Sequence, residues 1–426
     1  MVLEVSGGRM AKVSVVLCSF QFPEEKFFSS LEKNRSYVGE VVVPFEGLNS
    51  DSDFNIRSFG RELKGRKLTR AEVRNFLVSK ASNEDVLFLS ESTYLEEDFI
   101  GELLEEKKEF SADIVFGNPI YFFNGKEDVK NLEQLFEKEK TLVSSLSIED
   151  YVPEWGVLTT KSVIERGRGF DSFLEDYEFY DFIYRNIGWL RLRLAEFSYF
   201  TQEIKDSFVD TAWRSFVLRR MLGKFDWKKE VFPYLSWDEK PEVAKATALT
   251  LVGNQLCKYF DFFNASNCYR EALLSFHNQE TLRRLIDSLK GMGLFDRVRE
   301  LLSPEQGIPE DDVERELQFL EGVETVISDL ERAVEEGKAL EALSAAVELA
   351  GVYEGAPLYN LFGVINWLRK DFESAYRFFY KAVTMNPINR DFLYNLFSVA
   401  ETLDRKDKVE KLLMILVGEG NIEERV

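Results

Sequence analysis

Histidine is nearly absent from this 426-residue sequence, in which His277 is the only one. Metal sites built from several histidine side chains are therefore excluded. Histidine is also the commonest general acid or base at neutral pH. Any acid–base catalysis by this chain is therefore expected to use carboxylates, Tyr, Lys or Cys.

Cysteine and long apolar runs are scarce as well. The three cysteines, Cys18, Cys257 and Cys268, have no metal-ligand spacing, and an odd number is a poor disulfide framework. The N-terminus lacks the basic and apolar regions of a secretory signal, and no stretch of about 18 apolar residues occurs. We therefore expect a cytoplasmic protein. Abundant Glu and Lys beside few Gln, His and Cys also suggest a thermophilic source.

Positive charge is in deficit. The 54 Lys and Arg residues against 75 Asp and Glu residues leave a net charge of −21. Proteins that bind nucleic acid generally need a positive surface to displace counterions, so we expect no nucleic-acid partner. With 45% hydrophobic and 14% aromatic residues the chain can form packed cores, and its length suits two domains.

The first part of the sequence alternates apolar runs with amphipathic segments. Short runs rich in β-branched residues predict strands at 12–18, 40–43, 85–89 and 112–116. Thr69 and Glu72 have the spacing of a capping box at the start of a helix that runs to about Ala81. Strands separated by helices predict a mainly parallel sheet. A ligand crevice is expected beyond the carboxyl ends of the strands, at 19–21, 44–46 and 90–92.

From about residue 240 onwards the sequence is helical, and a 34-residue pattern recurs. The same small and aromatic residues repeat in Gly253, Ala265, Tyr269 and Ala272 and in Gly363, Ala375, Phe379 and Ala382. Small residues let two antiparallel helices approach closely, and the aromatic ring fills the space between them. The pattern resembles the tetratricopeptide repeat, and an ordinary helical bundle is the alternative. The exposed end of such an array must be capped, and a homodimer is one solution.

These patterns predict an α/β domain at 1–205, a helical linker at 206–240 and an all-α helical-repeat solenoid at 241–426. Within the linker, Trp213–Lys229 is basic and aromatic. Such a segment either lies at the periphery of an anionic membrane or docks with its apolar face buried. Both interpretations stay open at the level of sequence.

Segments of the α/β part resemble family 2 of the glycosyltransferases, which share the GT-A fold. They are KVSVVLCSFQ at 12–21, LTRAEVRNFLVSKASNEDVLFLSES at 68–92 and WGVLTTKSVIERGRGFDSFLEDYEFYDFIYRNIG at 155–188. The last segment is the most specific, because its Phe170-Asp171 turn and its Glu175-Asp176 pair have the family's spacing. The resemblance implies a GT-A-like nucleotide-diphospho-sugar transferase domain in front of the repeats.

The resemblance also implies a chemistry. Family members transfer a sugar from a nucleotide-sugar donor, such as a UDP-, GDP- or dTDP-sugar, to an acceptor hydroxyl with inversion. Asp176 matches the family's base, with Glu175 and Glu178 beside it. Ser19 and Trp155 lie in the matching segments and are predicted to bind substrate. Acidic residues at a helix start also favour the helix dipole, so a structural role is the alternative for this cluster.

The donor site departs from the family pattern at two strand ends. The family's Asp-x-Asp motif, which holds a divalent metal, is replaced by Ser90-Glu91-Ser92. Two serines make a poor Mg²⁺ or Mn²⁺ site, so the metal stays open, and strand alternation predicts that Glu91 points away from Ser90 and Ser92. At the end of the second strand only Glu46 replaces the usual acidic residues.

Arg70 and Arg74 are candidates for neutralising a diphosphate without metal. Their alternative role is surface solvation of a helix.

Two main hypotheses follow, and binding of a different donor in another geometry without metal is a third possibility. In the first, a glycosyltransferase acts on a protein or polymer acceptor that the helical repeats position. In the second, an inactive transferase-like domain is a scaffold or sensor, and the repeats bind protein partners. A crevice filled by Phe45 or Tyr94 would favour the second hypothesis.

Overall fold

The computed structural model describes residues 11–47, 54–123, 126–129, 143–145, 153–203 and 210–418. Within them the chain forms two compact units. One comprises the described residues up to 203 together with 217–231, and the other comprises 210–216 and 232–418. Residues 210–240 of the predicted linker are therefore divided between the two units.

The first unit is built on one mixed sheet. Its strands are β1 Val13–Leu17, β2 Val38–Val43, β3 Ile56–Ser58, β4 Asp85–Leu89, β5 Thr93–Leu95, β6 Ile114–Phe123, β7 Lys126–Val129, β8 Val157–Thr160 and β9 Leu192–Glu203. Their order is β3-β2-β1-β4-β8-β6-β9-β5, with β7 paired to β6. Strands β3, β2, β1 and β4 are parallel, whereas β8 is antiparallel to both β4 and β6.

The four predicted strands are confirmed as β1, β2, β4 and the start of β6. The expectation of a mainly parallel sheet holds for β3, β2, β1 and β4 and for the pairing of β6 with β9, and it is wrong for β5, β7 and β8, which are antiparallel to their neighbours. The antiparallel strands β5 and β8 have three and four residues, which is too short for a periodic pattern to be recognised.

The first unit also contains helices, most of which pack against this sheet. They are α1 Glu25–Glu32, α2 Gly60–Leu63, α3 Arg70–Lys80, α4 Phe99–Glu109, α5 Lys161–Arg166 and α6 Glu178–Asn186. The predicted capping box of α3 is confirmed, since Thr69 Oγ1 accepts from the Glu72 amide at 3.2 Å and Glu72 Oε2 accepts from the Thr69 amide at 2.9 Å. This cap fixes the start of α3 at Arg70 and places Arg74 one turn later on the same face.

Helix α7 Thr211–Leu222 belongs to the second unit as far as Phe216 and to the first from Val217 onwards. Its large apolar side chains Trp213, Val217, Leu218 and Met221 are at most 3% exposed. Such burial is what the docking interpretation of this segment requires, and contact with a membrane surface stays a prediction. No helix in the described ranges combines the length and the apolarity that crossing a bilayer requires.

The second unit is helical. Its helices are α8 Pro241–Lys258, α9 Phe262–Ser275, α10 Gln279–Met292, α11 Phe295–Leu301, α12 Glu310–Glu335, α13 Ala339–Ala350, α14 Ala356–Leu368, α15 Phe372–Met385, α16 Arg390–Thr402 and α17 Lys406–Val417. Most helices that follow one another in sequence pack together, most closely α8 with α9 and α14 with α15.

The recurring glycines lie where these two helix pairs approach. A Cβ atom at Gly253 would collide with the Tyr269 ring, and one at Gly363 would collide with the Phe379 ring. Both rings are buried, at 0% and 2% exposure. The sequence pattern therefore corresponds to the same packing device in both helix pairs.

Candidate functional site

A cavity of about 360 Å³ lies at the carboxyl ends of β1 and β4, where the sequence predicted a crevice. Its volume is in the usual range of small-molecule sites. Its lining residues are Cys18, Ser19, Phe20, Leu68, Arg70, Ser90, Glu91, Ser92, Trp155 and Gln202. Six of these were predicted to bind substrate, namely Ser19, Arg70, Ser90, Glu91, Ser92 and Trp155.

Strand pairing explains why these segments meet. The last residues of β1 and β4, Leu17 and Leu89, are paired in parallel register, so the chain leaves the sheet side by side at Cys18 and Ser90. Gln202 reaches the same edge near the end of β9, where it is paired with Thr93. Cys18, Leu68 and Gln202 were not identified from the sequence, whereas Phe20 lies in the predicted crevice segment 19–21. For Gln202, recognition of the late strand β9 would have been the only sequence signal.

Ser90 is part of a closed hydrogen-bond network. Its amide donates to Thr93 Oγ1 at 3.0 Å, and its hydroxyl accepts from Gln202 Nε2 at 3.0 Å and from the Ser92 amide at 3.2 Å. Thr93 Oγ1 also donates to Gln202 Oε1 at 2.7 Å. These bonds hold the turn after β4 in a fixed shape at the cavity wall.

Ser90, Glu91 and Ser92 all line the cavity, and the strand alternation on which the predicted direction of Glu91 rested does not extend to them. Strand β4 ends at Leu89, and the Thr93 amide donates to the Ser90 carbonyl at 3.2 Å, so a turn replaces the alternation of a strand. This turn provides only one carboxylate. Throughout the described ranges, no group of three or more His, Cys, Asp or Glu side chains is placed to hold a metal. The donor set therefore does not fit Mg²⁺ or Mn²⁺, which prefer several carboxylate oxygens.

Arg70 connects the cavity to a group of carboxylates. Its Nε and Nη2 contact the two oxygens of Glu178 at 2.6 and 2.7 Å, and Nη2 also contacts Asp176. Nη2 lies 3.4 Å from Glu154 Oε2. The side chain of Arg70 is 24% exposed and that of Asp176 is 31% exposed, whereas Glu178 is fully buried. Arg70 is therefore both a wall of the cavity and the counterion of Asp176.

The chain turns sharply between these two carboxylates. Tyr177 has a φ of 58°, which is uncommon for a residue with a side chain. The Asp176 carboxylate accepts from the Tyr177 amide at 2.8 Å, and Glu178 begins α6. Backbone strain of this kind persists where the surroundings hold it in place, and functional sites are a common location.

Arg74 is not among the residues that line the cavity, which corrects its prediction as a diphosphate contact. It is fully buried, and its Nη1 contacts Glu154 Oε2 at 3.1 Å and Glu178 Oε1 at 3.2 Å. Its guanidinium lies 4.7–5.2 Å from the centroids of four aromatic rings, those of Phe88, Trp155, Phe170 and Phe179. The residue is therefore a buried counterion that holds Glu154 and Glu178. Surface solvation of the helix is excluded for the same reason.

The ionisation of these carboxylates differs. Burial, followed by the Glu178 carboxylate, raises the pKa of Glu154 to about 7. Burial also raises the pKa of Asp176, against the opposite effect of Arg70. Burial alone would raise the pKa of Glu178, but Arg70 and Arg74 outweigh it and lower that pKa. Glu178 is therefore the most firmly ionised carboxylate of the three.

Other predicted residues lie outside the cavity lining. Glu46 is paired with Arg61 at 2.9 Å, and both side chains are largely exposed. Glu175 is half-buried beside Asp176. Phe45 and Tyr94 are 7% and 5% exposed and belong to the hydrophobic core, so the cavity is not filled by either ring.

Comparisons with known proteins gave structural similarity only. No protein-family model matches the sequence, and no curated protein matches it. The structure of residues 1–349 of S. aureus TarS is similar with a TM-score of 0.40 at 13% identity, over 68% of this chain and 88% of that chain. The same fragment in complex with UDP-GlcNAc gives 0.40 at 14% identity over the same shares, and a structure of S. aureus TarS gives 0.38 at 15% identity over 68% and 53%.

Proposed function

We propose that the first unit is a GT-A-like glycosyltransferase domain of the family 2 type. It binds a nucleotide-sugar in the cavity at the carboxyl ends of β1 and β4. One observation carries the proposal: residues from five separate parts of the chain line a single cavity. One of these residues, Arg70, is also bound to Asp176. Asp176 is the residue that the sequence resemblance assigns as the base.

Asp176 acts as the general base in this proposal. The acceptor hydroxyl oxygen attacks the anomeric carbon of the donor sugar, and its proton passes to the Asp176 carboxylate. The bond between the anomeric carbon and the diphosphate oxygen breaks, and the nucleoside diphosphate leaves with the negative charge. A carboxylate whose pKa burial raises is a better proton acceptor than an ordinary one. Glu175 lies next to it and assists in placing the acceptor.

Arg70 is the guanidinium that faces the donor diphosphate. It lines the cavity, and its bonds to Glu178, Asp176 and Glu154 use Nε and Nη2, which leaves Nη1 to donate a charge-assisted hydrogen bond to a phosphate oxygen. Ser19 and Ser92 supply hydroxyl donors, Ser90 holds the turn after β4 in shape, and Trp155 supplies an apolar wall. The nucleotide is UDP, GDP or dTDP, the three that the sequence resemblance implies, and the side chains of the cavity bind the diphosphate that all three share.

The second unit holds the acceptor in this proposal. Its repeated glycine–aromatic packing supports the tetratricopeptide assignment, in which helix pairs stack into a concave surface suited to extended peptides. A protein or polymer acceptor fits such a surface.

A second candidate function is binding without transfer, as a scaffold or sensor. The pairing of Asp176 with Arg70 favours it, because a guanidinium bound to a carboxylate lowers the basicity of that carboxylate. Nucleotide binding without any sugar transfer is the result that distinguishes this function from catalysis.

The test is calorimetric titration of the full chain with UDP, GDP, dTDP and their sugar conjugates. One nucleotide is expected to bind, and Arg70→Met is expected to weaken it by about tenfold or more, because a charge-assisted hydrogen bond is lost. Arg191→Met is the matched control, since Arg191 is an exposed arginine that pairs with Asp113 before β6. If no nucleotide binds at millimolar concentration, the proposed function is wrong.

A further inference from the structure

The positive and negative charges of the ionisable side chains beside the cavity are unequal in number. Within the described residues the network joins two guanidinium groups, Arg70 and Arg74, to three carboxylates, Glu154, Asp176 and Glu178. Fully ionised, it carries one negative charge in excess. Buried charges without a counterion are costly, so a proton is the simplest way to restore neutrality.

The contacts indicate where that proton resides. Glu178 receives three contacts of 3.2 Å or less from the two guanidiniums. Glu154 uses only Oε2 for Arg70 and Arg74, and its buried Oε1 has no hydrogen-bond partner in the part of the chain that the structure describes. An oxygen of this kind gains most from protonation, because it is otherwise desolvated without compensation.

An anionic ligand increases the imbalance. A diphosphate in the cavity brings further negative charge to Arg70, which already neutralises Asp176 and Glu178. Glu91 adds another carboxylate on the cavity wall. The network must then lose negative charge elsewhere, and Glu154 is the carboxylate with the weakest set of contacts.

On the basis of the proposed function, we propose that Glu154 is a proton-binding residue of the donor site, which takes up a proton from solvent as Arg70 binds the diphosphate of the nucleotide. Its role is to keep the buried network neutral, and it touches neither the donor nor the acceptor. The pKa of Glu154 in the free protein, about 7, means that the residue is only partly protonated before the ligand arrives.

The groups that face Glu154 come from three parts of the chain. Arg70 and Arg74 approach from α3, Glu178 from the start of α6, and Asp176 from the turn before it. The Cys18 thiol lies next to Arg74, but burial raises its pKa, so it stays neutral where Glu154 titrates. The four charged neighbours are thus the groups that set the proton affinity of Glu154.

The experiment is calorimetry with UDP and with inorganic pyrophosphate, in the presence of a chelator and one pH unit above the pKa of Glu154. Two phosphate-free buffers of different ionisation enthalpy give the number of protons taken up. The wild type is expected to take up close to one proton per ligand, and its affinity is expected to fall by up to about tenfold for each further pH unit. Glu154→Gln is expected to take up none and to bind more tightly than the wild type at this pH.

The matched control is Glu84→Gln, a carboxylate near the amino end of β4 that accepts from Ser162. It is expected to retain the proton uptake of the wild type. Binding of UDP without proton uptake by the wild type would overturn the inference, as would equal uptake by Glu154→Gln. If Glu154→Gln does not fold, the number of protons that the wild type takes up per ligand is by itself the test of the inference.

The two ligands separate this inference from the proposed function. If pyrophosphate binds with proton uptake and no nucleotide binds, the proposed function is wrong and Glu154 remains the proton site of an anion cavity. If UDP binds and neither UDP nor pyrophosphate binds with proton uptake, only the inference is wrong. If neither ligand binds, both are wrong.

Discussion

Arg70 and Glu178 form a two-pronged ion pair, in which Nε lies 2.6 Å from Oε1 and Nη2 lies 2.7 Å from Oε2. The two residues begin helices α3 and α6, which are far apart in the sequence. Because Glu178 is fully buried, the pair fixes the position of Arg70 at the cavity wall. The same guanidinium also contacts Asp176, so the position of the proposed base depends on this pair.

Removing the buried cation is expected to destabilise the first unit. Arg74→Met leaves Glu154 and Glu178 with one guanidinium between them, and breaking a buried ion pair costs about 3–5 kcal/mol in free energy of unfolding. Arg35→Met is the control, because Arg35 forms a surface pair with Glu32 that is worth less than about 1 kcal/mol. Urea unfolding of both variants measures the difference. Equal stability of the two would contradict the structural role of Arg74.

Stability is also expected to depend on pH through Glu154. Its pKa is about 7 in the folded protein against an ordinary 4.5, so the folded state binds more protons between these values. The contribution of this carboxyl to the free energy of unfolding is therefore fully present below pH 4.5 and declines as the pH rises to about 7. Relative to the wild type, Glu154→Gln should become more stable by on the order of 3 kcal/mol across this window.

Urea unfolding of wild type and Glu154→Gln at both ends of the window tests this dependence. Glu84→Gln is the control. The bonds from Ser162 outweigh burial and lower the pKa of Glu84, so the effect of Glu84 on the pH dependence of stability falls below pH 4.5. A stability difference between Glu154→Gln and wild type that does not change with pH would show that Glu154 is ionised throughout.

The helical unit offers a separate test of packing. Gly363→Ala places a Cβ against the buried Phe379 ring, and such overpacking costs about 1–3 kcal/mol. Phe379→Leu in the same chain is expected to recover part of this loss. Gly322→Ala is the matched control, because Gly322 lies inside α12 with nothing within 4 Å of an added Cβ, and it should stabilise by up to about 1 kcal/mol. Thermal unfolding that ranks the two alanine variants in the reverse order would contradict the close packing of α14 on α15.

Much of the fold could be predicted from the sequence. The strands β1, β2 and β4 are apolar runs, and the capping box of α3 is a local signal in Thr69 and Glu72. The repeated glycine and aromatic positions are equally local, since each pair is separated by one helical hairpin. These features depend on interactions between residues that are close in the sequence.

The candidate site could be predicted only in part. The segments that line the cavity were identified because they follow strands, but the direction of each side chain depends on where a strand ends. Strand alternation was applied to Glu91 because the end of β4 at Leu89 was not recognised. Arg74 was misplaced because Glu154, its counterion, is 80 residues away in the sequence and carries no motif. Long-range ion pairs of this kind leave no local signal.

Metal removal tests the donor set of the cavity. Ser90-Glu91-Ser92 supplies one carboxylate, so the affinity for UDP is expected to change by less than about threefold between a chelator and Mn²⁺. Ser92→Asp adds a second carboxylate beside Glu91 and is expected to make UDP binding respond to Mn²⁺. A large gain in affinity with Mn²⁺ in the wild type would show that other side chains complete a metal site.

Asp176 is proposed to deprotonate an acceptor at a nucleotide-sugar site. The most direct test of this role is to measure the release of the nucleoside diphosphate from the nucleotide-sugar that binds. Asp176→Asn is expected to slow this release by about 10²–10⁴-fold without weakening nucleotide binding, because general-base catalysis contributes a factor of this size. Asp113→Asn, which removes the partner of Arg191 before β6, is expected to react like the wild type. Equal release by the wild type and Asp176→Asn would contradict the claim.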